Sequence, residues 1–285
     1  MKIPKGSETM KRLLMTMLVM AIGVSVAGAQ DTKREITRVT DDVYRFQNQF
    51  HMNMFVITGD GVLVTDPINP EAASWLKAEI GQLTDQPITH LVYSHSHGDH
   101  ASGGTEYGDV PNVIMHQNAP EDIDLVEPTI RFSDQMSFTV GGKTFELTYL
   151  GPGHGNDLVA VVVRPDNVAF VVDAVSSKRL FYRDFPGANV DHWIDQVRKV
   201  DALDFEVMIG GHGPVGVKSD VADGIAYLEE LRTAVLKGLK AGKSVDELKQ
   251  SIKMEKYKTW ASYDSWRELN VIGMVRHLKE SGEVQ

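Results

Sequence analysis

The chain has 285 residues, of which 42% are hydrophobic and 24% charged, and this composition is typical of a folded globular protein rather than a disordered or fibrous one. Its formal net charge of -10 disfavours nucleic acid as a partner, because binding to phosphates requires a surface rich in lysine and arginine. The absence of cysteine excludes a thiol nucleophile and any thiolate metal ligand.

The N-terminal segment has the pattern of a secretory signal peptide. Lys11-Arg12 precedes an apolar run over residues 13–26, and Ala27-Gly28-Ala29 supplies the small side chains that signal peptidase requires. Because the apolar run is too short to favour a membrane anchor, we expect residues 1–29 to be cleaved. The mature chain would begin at Gln30 and be periplasmic or secreted, without stable insertion in a membrane.

Alternating apolar residues and turn signals predict β-structure in the first half of the mature chain. The predicted strands cover residues 42–47, 54–58, 62–64 and 89–93. Between the last two strands, the helical spacing of Trp75, Leu76 and Ile80 predicts a helix over Pro70–Leu83. The strand that ends at Tyr93 leads directly into a histidine-rich motif.

The second half combines hairpins with a helical C-terminal region. We predict two hairpins and one short strand, over residues 136–149, 158–172 and 206–209. An apolar stripe from Val221 to Leu239 predicts a helix, and Ser244-Val245-Asp246-Glu247 predicts the N-terminal cap of another.

Strands interleaved with helices indicate an α/β fold in which helices cover two stacked sheets. We expect one domain over residues 30–285. Its final helices either pack against the rest of the domain or form the contact of a homodimer.

The motif from His95 to His100 carries the main indication of chemistry. Residues two apart on a strand point the same way, so His95 and His97 can present two imidazoles to one metal ion. Gly98 allows a sharp turn that brings Asp99 and His100 opposite the first pair. Four potential ligands within six residues exceed what one tetrahedral ion uses, and the spacing therefore indicates two adjacent metals.

Three further residues follow predicted strands and can supply ligands from elsewhere in the chain. His154 lies in a glycine-rich loop, Asp173 ends an apolar strand, and His212 lies between two glycines. Such groups gather where loops converge at the ends of strands. Most histidines are not ligands, and we interpret the remaining ones as structural or surface groups: His51, His90, His116, His192 and His277. His51 stands apart from the other four because it lies in a predicted loop near the first hairpin.

Together, the His-x-His-x-Asp-His motif, the later Gly-x-Gly-His, the aspartate after an apolar strand and the final Gly-His-Gly resemble the metallo-β-lactamase fold superfamily. The resemblance covers nearly the whole mature chain and implies a four-layer αβ/βα sandwich with metals at the edge between two sheets. It implies the following ligands: His95, His97 and His154 for a first ion, Asp99, His100 and His212 for a second, and Asp173 as a bridge between them.

Val64-Thr65-Asp66 resembles the early aspartate motif of the same family. The resemblance implies that Asp66 orients a metal ligand. A role in the turn before Pro67 is equally consistent with the sequence.

The resemblance implies a hydrolase whose cofactor is two zinc ions per chain, with iron or manganese as alternatives. A hydroxide that bridges the ions would attack an acyl carbon of a small-molecule substrate, and Asp99 would be the catalytic residue that orients it. The expected substrate is a β-lactam, a lactone or an ester. Asp173 leaves the extent of β-lactamase activity open, because true β-lactamases usually lack this bridge.

Other members of the superfamily resemble the chain at Asp173 more closely. A glyoxalase II-like thioesterase and a phosphotriesterase are therefore alternatives. A mononuclear iron persulfide dioxygenase and a non-catalytic periplasmic accessory protein are the alternatives outside hydrolysis.

Two segments are candidates for substrate contact. Residues 50–54 could form an apolar flap over the metals, and Phe181-Tyr182-Arg183 could offer a phenol or a cation to a substrate carboxylate. Packing in the core is the more common role for such aromatic and methionine residues.

Overall fold

The computed structural model describes residues 32–121 and 125–284. The predicted signal peptide and the predicted mature start at Gln30 lie outside these described residues. Within the described ranges, no helix combines the length and the apolar character needed to cross a bilayer.

Within the same ranges, the first sheet has seven strands that follow one another in chain order. They are β1 (Arg34–Arg38), β2 (Val43–Asn48), β3 (His51–Thr58), β4 (Gly61–Thr65), β5 (Ile88–Val92), β6 (Asn112–His116) and β7 (Ile130–Phe132). The pairs from β1 to β4 are antiparallel, and those from β4 to β7 are parallel.

The second sheet has six described strands, and only its β11–β12 pair is parallel. In spatial order it runs from β13 through β12, β11, β10 and β9 to β8. The strands are β8 (Gln135–Val140), β9 (Lys143–Tyr149), β10 (Val159–Arg164), β11 (Val168–Val171), β12 (Val207–Gly210) and β13 (Gly216–Val217).

Helices follow or separate these strands. They are α1 (Pro70–Leu83), α2 (Gly98–Ala101), α3 (Val190–Ala202), α4 (Lys218–Lys240), α5 (Val245–Ser251) and α6 (Tyr263–Glu280), with short 3-10 turns at Gly104–Tyr107 and Glu255–Tyr257. The predicted helix α1 has the predicted bounds, because Asn69 caps its N-terminus and Pro70 occupies its first turn. Ser244 and Glu247 form the predicted capping box of α5.

Side-chain alternation along the strands separates three buried clusters. Met54 and Val56 of β3 face the second sheet and pack with Phe145 and Phe170, whereas Phe55 faces outward towards α1. On the far side of the second sheet, an apolar layer joins α3, α4 and α6 to β10 and β11. The order helix, sheet, sheet, helix confirms the predicted four-layer αβ/βα sandwich.

The C-terminal helices pack on the second sheet, the first of the two alternatives that the sequence left open. Leu228 and Leu231 of α4 and Met274 and Leu278 of α6 are fully buried in that outer layer. A homodimer contact through these helices stays a prediction.

Candidate metal centre

Hydrogen bonds between the two sheets define the place where the predicted ligands meet. Val159 of β10 donates its backbone N–H to the carbonyl of Ser94, which follows β5. Met52 of β3 donates to the carbonyl of Gly211, which follows β12. The predicted ligands converge at this edge: His95, His97, Asp99, His100, His154, Asp173 and His212.

One group of side chains has the separations expected of atoms that share a metal. His154 Nε2 lies 3.0 Å from His97 Nδ1 and 3.2 Å from Asp173 Oδ2, and His95 Nε2 lies 3.8 Å from the same oxygen. Nitrogen atoms bound at 2.0–2.1 Å to one tetrahedral zinc ion lie about 3.3 Å apart. His95 Nε2 is buried and has no hydrogen-bond partner among the described residues. These atoms therefore fit a metal ion.

A second group lies on the other side of Asp173. His212 Nε2 lies 3.2 Å from Asp173 Oδ1 and 3.3 Å from His100 Nε2, and Asp99 Oδ2 is 3.7 Å from His100 Nε2. Asp173 thus presents Oδ2 to His154 and Oδ1 to His212. A carboxylate in this position can serve two cations at once.

Asp66 is fully buried behind this cluster and accepts hydrogen bonds from Ser94. The backbone N–H and the hydroxyl of Ser94 donate to Asp66 at 2.7 and 2.6 Å, and the same hydroxyl lies 2.9 Å from His95 Nδ1. With its hydrogen engaged by Asp66, the hydroxyl accepts from His95 Nδ1, which leaves Nε2 as the acceptor. The Asp66 carboxylate is also 3.6 Å from His100 Nδ1.

Helix α3 holds the loop that carries His154, a role that the sequence did not reveal. The buried Gln196 accepts a 2.8 Å hydrogen bond from the backbone N–H of His154 and donates one of 2.6 Å to the carbonyl of Gly151. Trp193 packs edge-on against the His154 ring, with ring centroids 4.9 Å apart. The sequence does signal the helix α3 itself, through an amphipathic pattern preceded by Asn189. Its contact with the His154 loop depends on the tertiary fold, which the sequence pattern does not reveal.

The indole of Trp193 also fixes the segment around Asp173. It donates a 2.9 Å hydrogen bond to the carbonyl of Ala174. Asp173 itself has φ 55°, in the left-handed region that costs a non-glycine residue about 1 kcal/mol or more. Packing by α3 therefore maintains a backbone conformation that turns this carboxylate towards both groups of histidines.

The tip of the β2–β3 hairpin orients His212 and brings His51 into the cluster. His212 Nδ1 lies 2.7 Å from the carbonyl of Phe50, so this nitrogen carries the proton and Nε2 faces Asp173. His51 Nε2 lies 3.3 Å from Asp99 Oδ2. The sequence set His51 apart from the other non-ligand histidines, but its predicted position in a loop was wrong. Strand β3 begins at His51 and directs its ring into the site.

Burial and charge set the protonation of the cluster. Burial and the neighbouring His100 lower the pKa of His95, and burial lowers that of His97, so both rings are neutral and able to bind a metal. Burial alone would lower the pKa of His100, but the carboxylates of Asp173 and Asp66 raise it to about 9. His100 therefore holds a proton among the carboxylates, and a bound cation would displace it.

The same interactions keep the carboxylates ionised. A hydrogen bond from His51 lowers the pKa of Asp99 below its usual range. Burial would raise the pKa of Asp173, but His100 and the neighbouring imidazoles of His154 and His212 hold it well below the usual value. Both side chains are thus in the form that binds cations.

A cavity of about 730 Å³ opens above the cluster. Of the predicted flap, Phe50 and His51 line the cavity, whereas Met52 and Met54 are buried in the sheet. The flap prediction was wrong over those residues, because alternate side chains of a strand face inward. The rest of the lining includes Arg179, Tyr182 and Trp266.

The predicted substrate contact at Phe181-Tyr182-Arg183 is only partly found. Phe181 lines the cavity while packing in the core, and Tyr182 is exposed at the rim. Arg183 does not line the cavity among the described residues, whereas Arg179, four residues earlier, does. The sequence offered no signal that separates these two arginines.

Similar proteins were found by sequence. The 2,4-dinitroanisole O-demethylase subunit alpha of Nocardioides sp. (strain JS1661) is 22% identical to this chain. The alignment covers 89% of this chain and 80% of the demethylase subunit. The metallo-beta-lactamase type 2 of Elizabethkingia meningoseptica is 24% identical to this chain. The alignment covers 68% of this chain and 86% of the lactamase.

Solved structures share the fold. A metallo-beta-lactamase from Pontibacter korlensis superimposes with a TM-score of 0.62 at 20% identity. The superposition covers 69% of this chain and 99% of the lactamase chain. A double mutant of the sec-alkyl sulfatase PisA1 superimposes with a TM-score of 0.68 at 15% identity. The superposition covers 87% of this chain and 50% of the sulfatase chain. The profile of the metallo-beta-lactamase superfamily matches residues 49–212, which include the whole ligand cluster and more than half of the sequence. The chain therefore belongs to the metallo-beta-lactamase superfamily.

Proposed function

We propose that this protein is an exported hydrolase of small molecules that works with two metal ions, zinc being the first choice and iron or manganese the alternatives. The observation that carries the proposal is the position of Asp173 between two groups of histidines. One of its oxygens lies 3.2 Å from His154 Nε2, and the other lies 3.2 Å from His212 Nε2. A single ion would not require histidines from two groups beside the two oxygens of Asp173.

In this proposal the ligands divide as the family resemblance implies. Three imidazoles would hold the first ion, one carboxylate and two imidazoles would hold the second, and Asp173 would be shared by both. The ligands are His95, His97 and His154 at the first ion, and Asp99, His100 and His212 at the second.

Zinc bound here would supply a nucleophile at neutral pH, because it lowers the pKa of coordinated water to about 7. Asp99 is the group that would orient this nucleophile and hold its proton. Its carboxylate is half exposed to the cavity, so it can reach a substrate. Trp193 and Gln196 keep the His154 loop in place from behind.

The cavity favours a substrate with a negatively charged group. The Arg179 guanidinium stacks on Trp266, with its Cζ 4.7 Å from the ring centroid. Burial lowers the pKa of Arg179, which nevertheless remains a cation, since arginine does not lose its proton in proteins. The Asp173 carboxylate acts on this guanidinium electrostatically and by itself would raise its pKa, but without a hydrogen bond between them. An anionic acyl compound, such as a β-lactam, a hydroxy-acid lactone or a carboxylate ester, would satisfy this charge.

A second candidate is cleavage of an ether or a sulfate ester. The O-demethylase and the sec-alkyl sulfatase match 89% and 87% of this chain, respectively, whereas the β-lactamases of Elizabethkingia and Pontibacter match 68% and 69%. The additional coverage shows that similarity to the first two proteins extends over more of the chain. A C–O or S–O bond is therefore included among the bonds to be tested.

The proposal is tested on purified protein stripped of metal and reloaded with zinc, manganese or iron(II). The panel contains nitrocefin, a lactone, a thioester, a phosphotriester, 2,4-dinitroanisole and a secondary alkyl sulfate. We expect two ions per chain and turnover of at least one substrate that a chelator abolishes and metal restores. One iron per chain with sulfur oxidation would instead support the dioxygenase alternative, and no turnover by fully loaded protein would support the accessory role.

Export is tested separately. We expect protein recovered from the periplasm or the medium to begin at Gln30 by N-terminal sequencing. Recovery only from the cytoplasm with residues 1–29 intact would contradict this part of the proposal.

A further inference from the structure

We propose that His51 is an additional ligand of the second metal ion. The inference rests on the proposed function, which assigns Asp99, His100, His212 and the bridging Asp173 to that ion. His51 lies outside the motifs that carry the family resemblance, and the geometry around its ring supplies the argument.

The backbone on both sides of His51 is tied to the loop of a proposed ligand. The carbonyl of Phe50 accepts a 2.7 Å hydrogen bond from His212 Nδ1, and the N–H of Met52 donates one of 2.8 Å to the carbonyl of Gly211. His51 is therefore clamped between two anchors, and its ring is preorganised beside that of His212. Their ring centroids are 4.9 Å apart.

The donor atoms have the spacing of ligands that share an ion. One atom each from His51, Asp99 and His212 lies within 4.8 Å of the other two. The His51 Nε2 to Asp99 Oδ2 distance is 3.3 Å. A charge-assisted hydrogen bond is usually about 2.7–2.9 Å long, whereas two ligands of one zinc ion lie about 3.3 Å apart. The separation thus fits shared coordination better than a strong hydrogen bond.

The access of His51 to the ion is also favourable. Its side chain is 28% exposed and lines the cavity, so it approaches the second group from the substrate side. His51 would bring the donors there to three imidazoles and two carboxylates. This number exceeds the four of a tetrahedral structural site and makes the second ion more highly coordinated than the first.

The test compares His51→Ala, His51→Gln and the control His192→Ala, which removes an exposed imidazole on α3. Gln can still donate a hydrogen bond to Asp99 but lacks the imidazole nitrogen. Competition with a chromogenic chelator gives the affinity for each zinc ion, and the visible spectrum of the cobalt(II)-loaded protein reports the coordination number. A crystal structure of the zinc-loaded wild type gives the distance from His51 Nε2 to the nearest ion.

We expect that distance to be about 2.0–2.1 Å. Both His51 variants should lose more than about 100-fold in affinity for the second ion, beyond the 10–100-fold typical of a group that only orients a ligand. Their cobalt absorption should intensify as the coordination number falls, and His192→Ala should match the wild type in every assay.

Two results would overturn the inference in distinguishable ways. In the first, an ion lies beside Asp99 but more than about 3 Å from His51 Nε2, and His51→Gln binds it with wild-type affinity. This result would leave the proposed function intact and make His51 a group that positions Asp99. Failure of the wild type to bind any ion beside Asp99 would overturn the dinuclear function and this inference together.

Discussion

Asp66 accepts two hydrogen bonds from Ser94, one from the backbone N–H and one from the hydroxyl. Because the hydroxyl also contacts His95 Nδ1 at 2.9 Å, the carboxylate acts on the imidazole through a serine. The chain of contacts fixes which nitrogen of His95 is free to bind a metal. The resemblance implied that Asp66 orients a ligand, and the structure adds Ser94 as the connecting residue.

We expect Ser94→Ala to weaken metal binding about 10- to 100-fold, the usual effect of removing a group that orients a ligand. The change leaves His95 Nδ1 and Asp66 Oδ2 without their shared partner in a buried place, so it should also cost about 1–3 kcal/mol in the free energy of unfolding. Chelator competition measures the first effect and urea denaturation of the metal-free protein the second. Ser74→Ala, on the exposed face of α1, is the matched control. Equal metal affinity in the Ser94 variant and the control would contradict the role of this hydroxyl.

His97→Ala should abolish turnover and remove most of the thermal stabilisation that added metal provides. His97 contributes Nδ1 at 3.0 Å from His154 Nε2, so its loss opens the first group of ligands. Metal bound only by the folded state raises the melting temperature, and a weaker site raises it less. Differential scanning calorimetry with and without zinc, alongside turnover, makes the measurement, with His192→Ala as control. An unchanged turnover number would show that the ligands are assigned wrongly.

Local signals account for what could be predicted from the sequence. The helix α1 is delimited by Asn69, Pro70 and its own apolar spacing, and the ligands from His95 to His100 lie in one continuous motif. Each of these features depends only on residues that are close together in the sequence. Strands β1, β6 and β7 were not predicted, because their short or mixed apolar patterns do not distinguish them from neighbouring loops. Helix α3 was also missed, although its amphipathic pattern and the preceding Asn189 are visible in the sequence.

The missed residues of the site depend on contacts between distant segments. Gln196 reaches His154 from 42 positions away, and His51 reaches Asp99 from 48. The same limitation explains the flap prediction, since the inward direction of Met52 and Met54 follows from the pairing of β3 with its neighbours. Motif spacing predicts candidate ligands, but it does not predict which residues position them.

Acid should weaken a buried ion pair that lies at the opposite end of β11 from Asp173. Asp166, in the β10–β11 turn, accepts hydrogen bonds from Thr40 at 2.6 Å and from Lys143 at 2.8 Å. Burial would raise the pKa of Asp166, but these partners lower it. A carboxyl with a lowered folded-state pKa stabilises the fold above its unfolded pKa of about 3.9 and loses that contribution as pH falls through the folded value.

Asp166→Asn should therefore lower the free energy of unfolding by about 1–3 kcal/mol at pH 7 and by less at pH 3. Urea denaturation of metal-free protein at both pH values tests this. Asp41→Asn removes a carboxylate that is 97% exposed, and it should change stability little at either pH. A deficit in the Asp166 variant that is equal at pH 7 and pH 3 would show that ionisation is not the source of its contribution.

Arg179→Ala should raise KM for anionic substrates and leave neutral ones nearly unchanged. The guanidinium faces the cavity from a segment whose backbone pairs with Ala261, and it stacks on Trp266 of the C-terminal helix, so it is held in place before a substrate arrives. A hydrogen bond to a charged group contributes about 1.5–3 kcal/mol, which corresponds to a loss of about 10- to 100-fold in kcat/KM. The measurement pairs a substrate bearing a carboxylate with its methyl ester, on wild type and variant.

Arg183→Ala is the matched control for this experiment, because it removes an exposed guanidinium from the same loop outside the cavity lining. If Arg179 recognises an anion, only Arg179→Ala should narrow the preference for the carboxylate over its ester. Arg179→Lys should recover part of that preference, because it keeps the charge but loses the planar fork and the stacking on Trp266. An equal loss on both substrates would mean that Arg179 supports the shape of the cavity, and the charge of the substrate would then have to be recognised elsewhere.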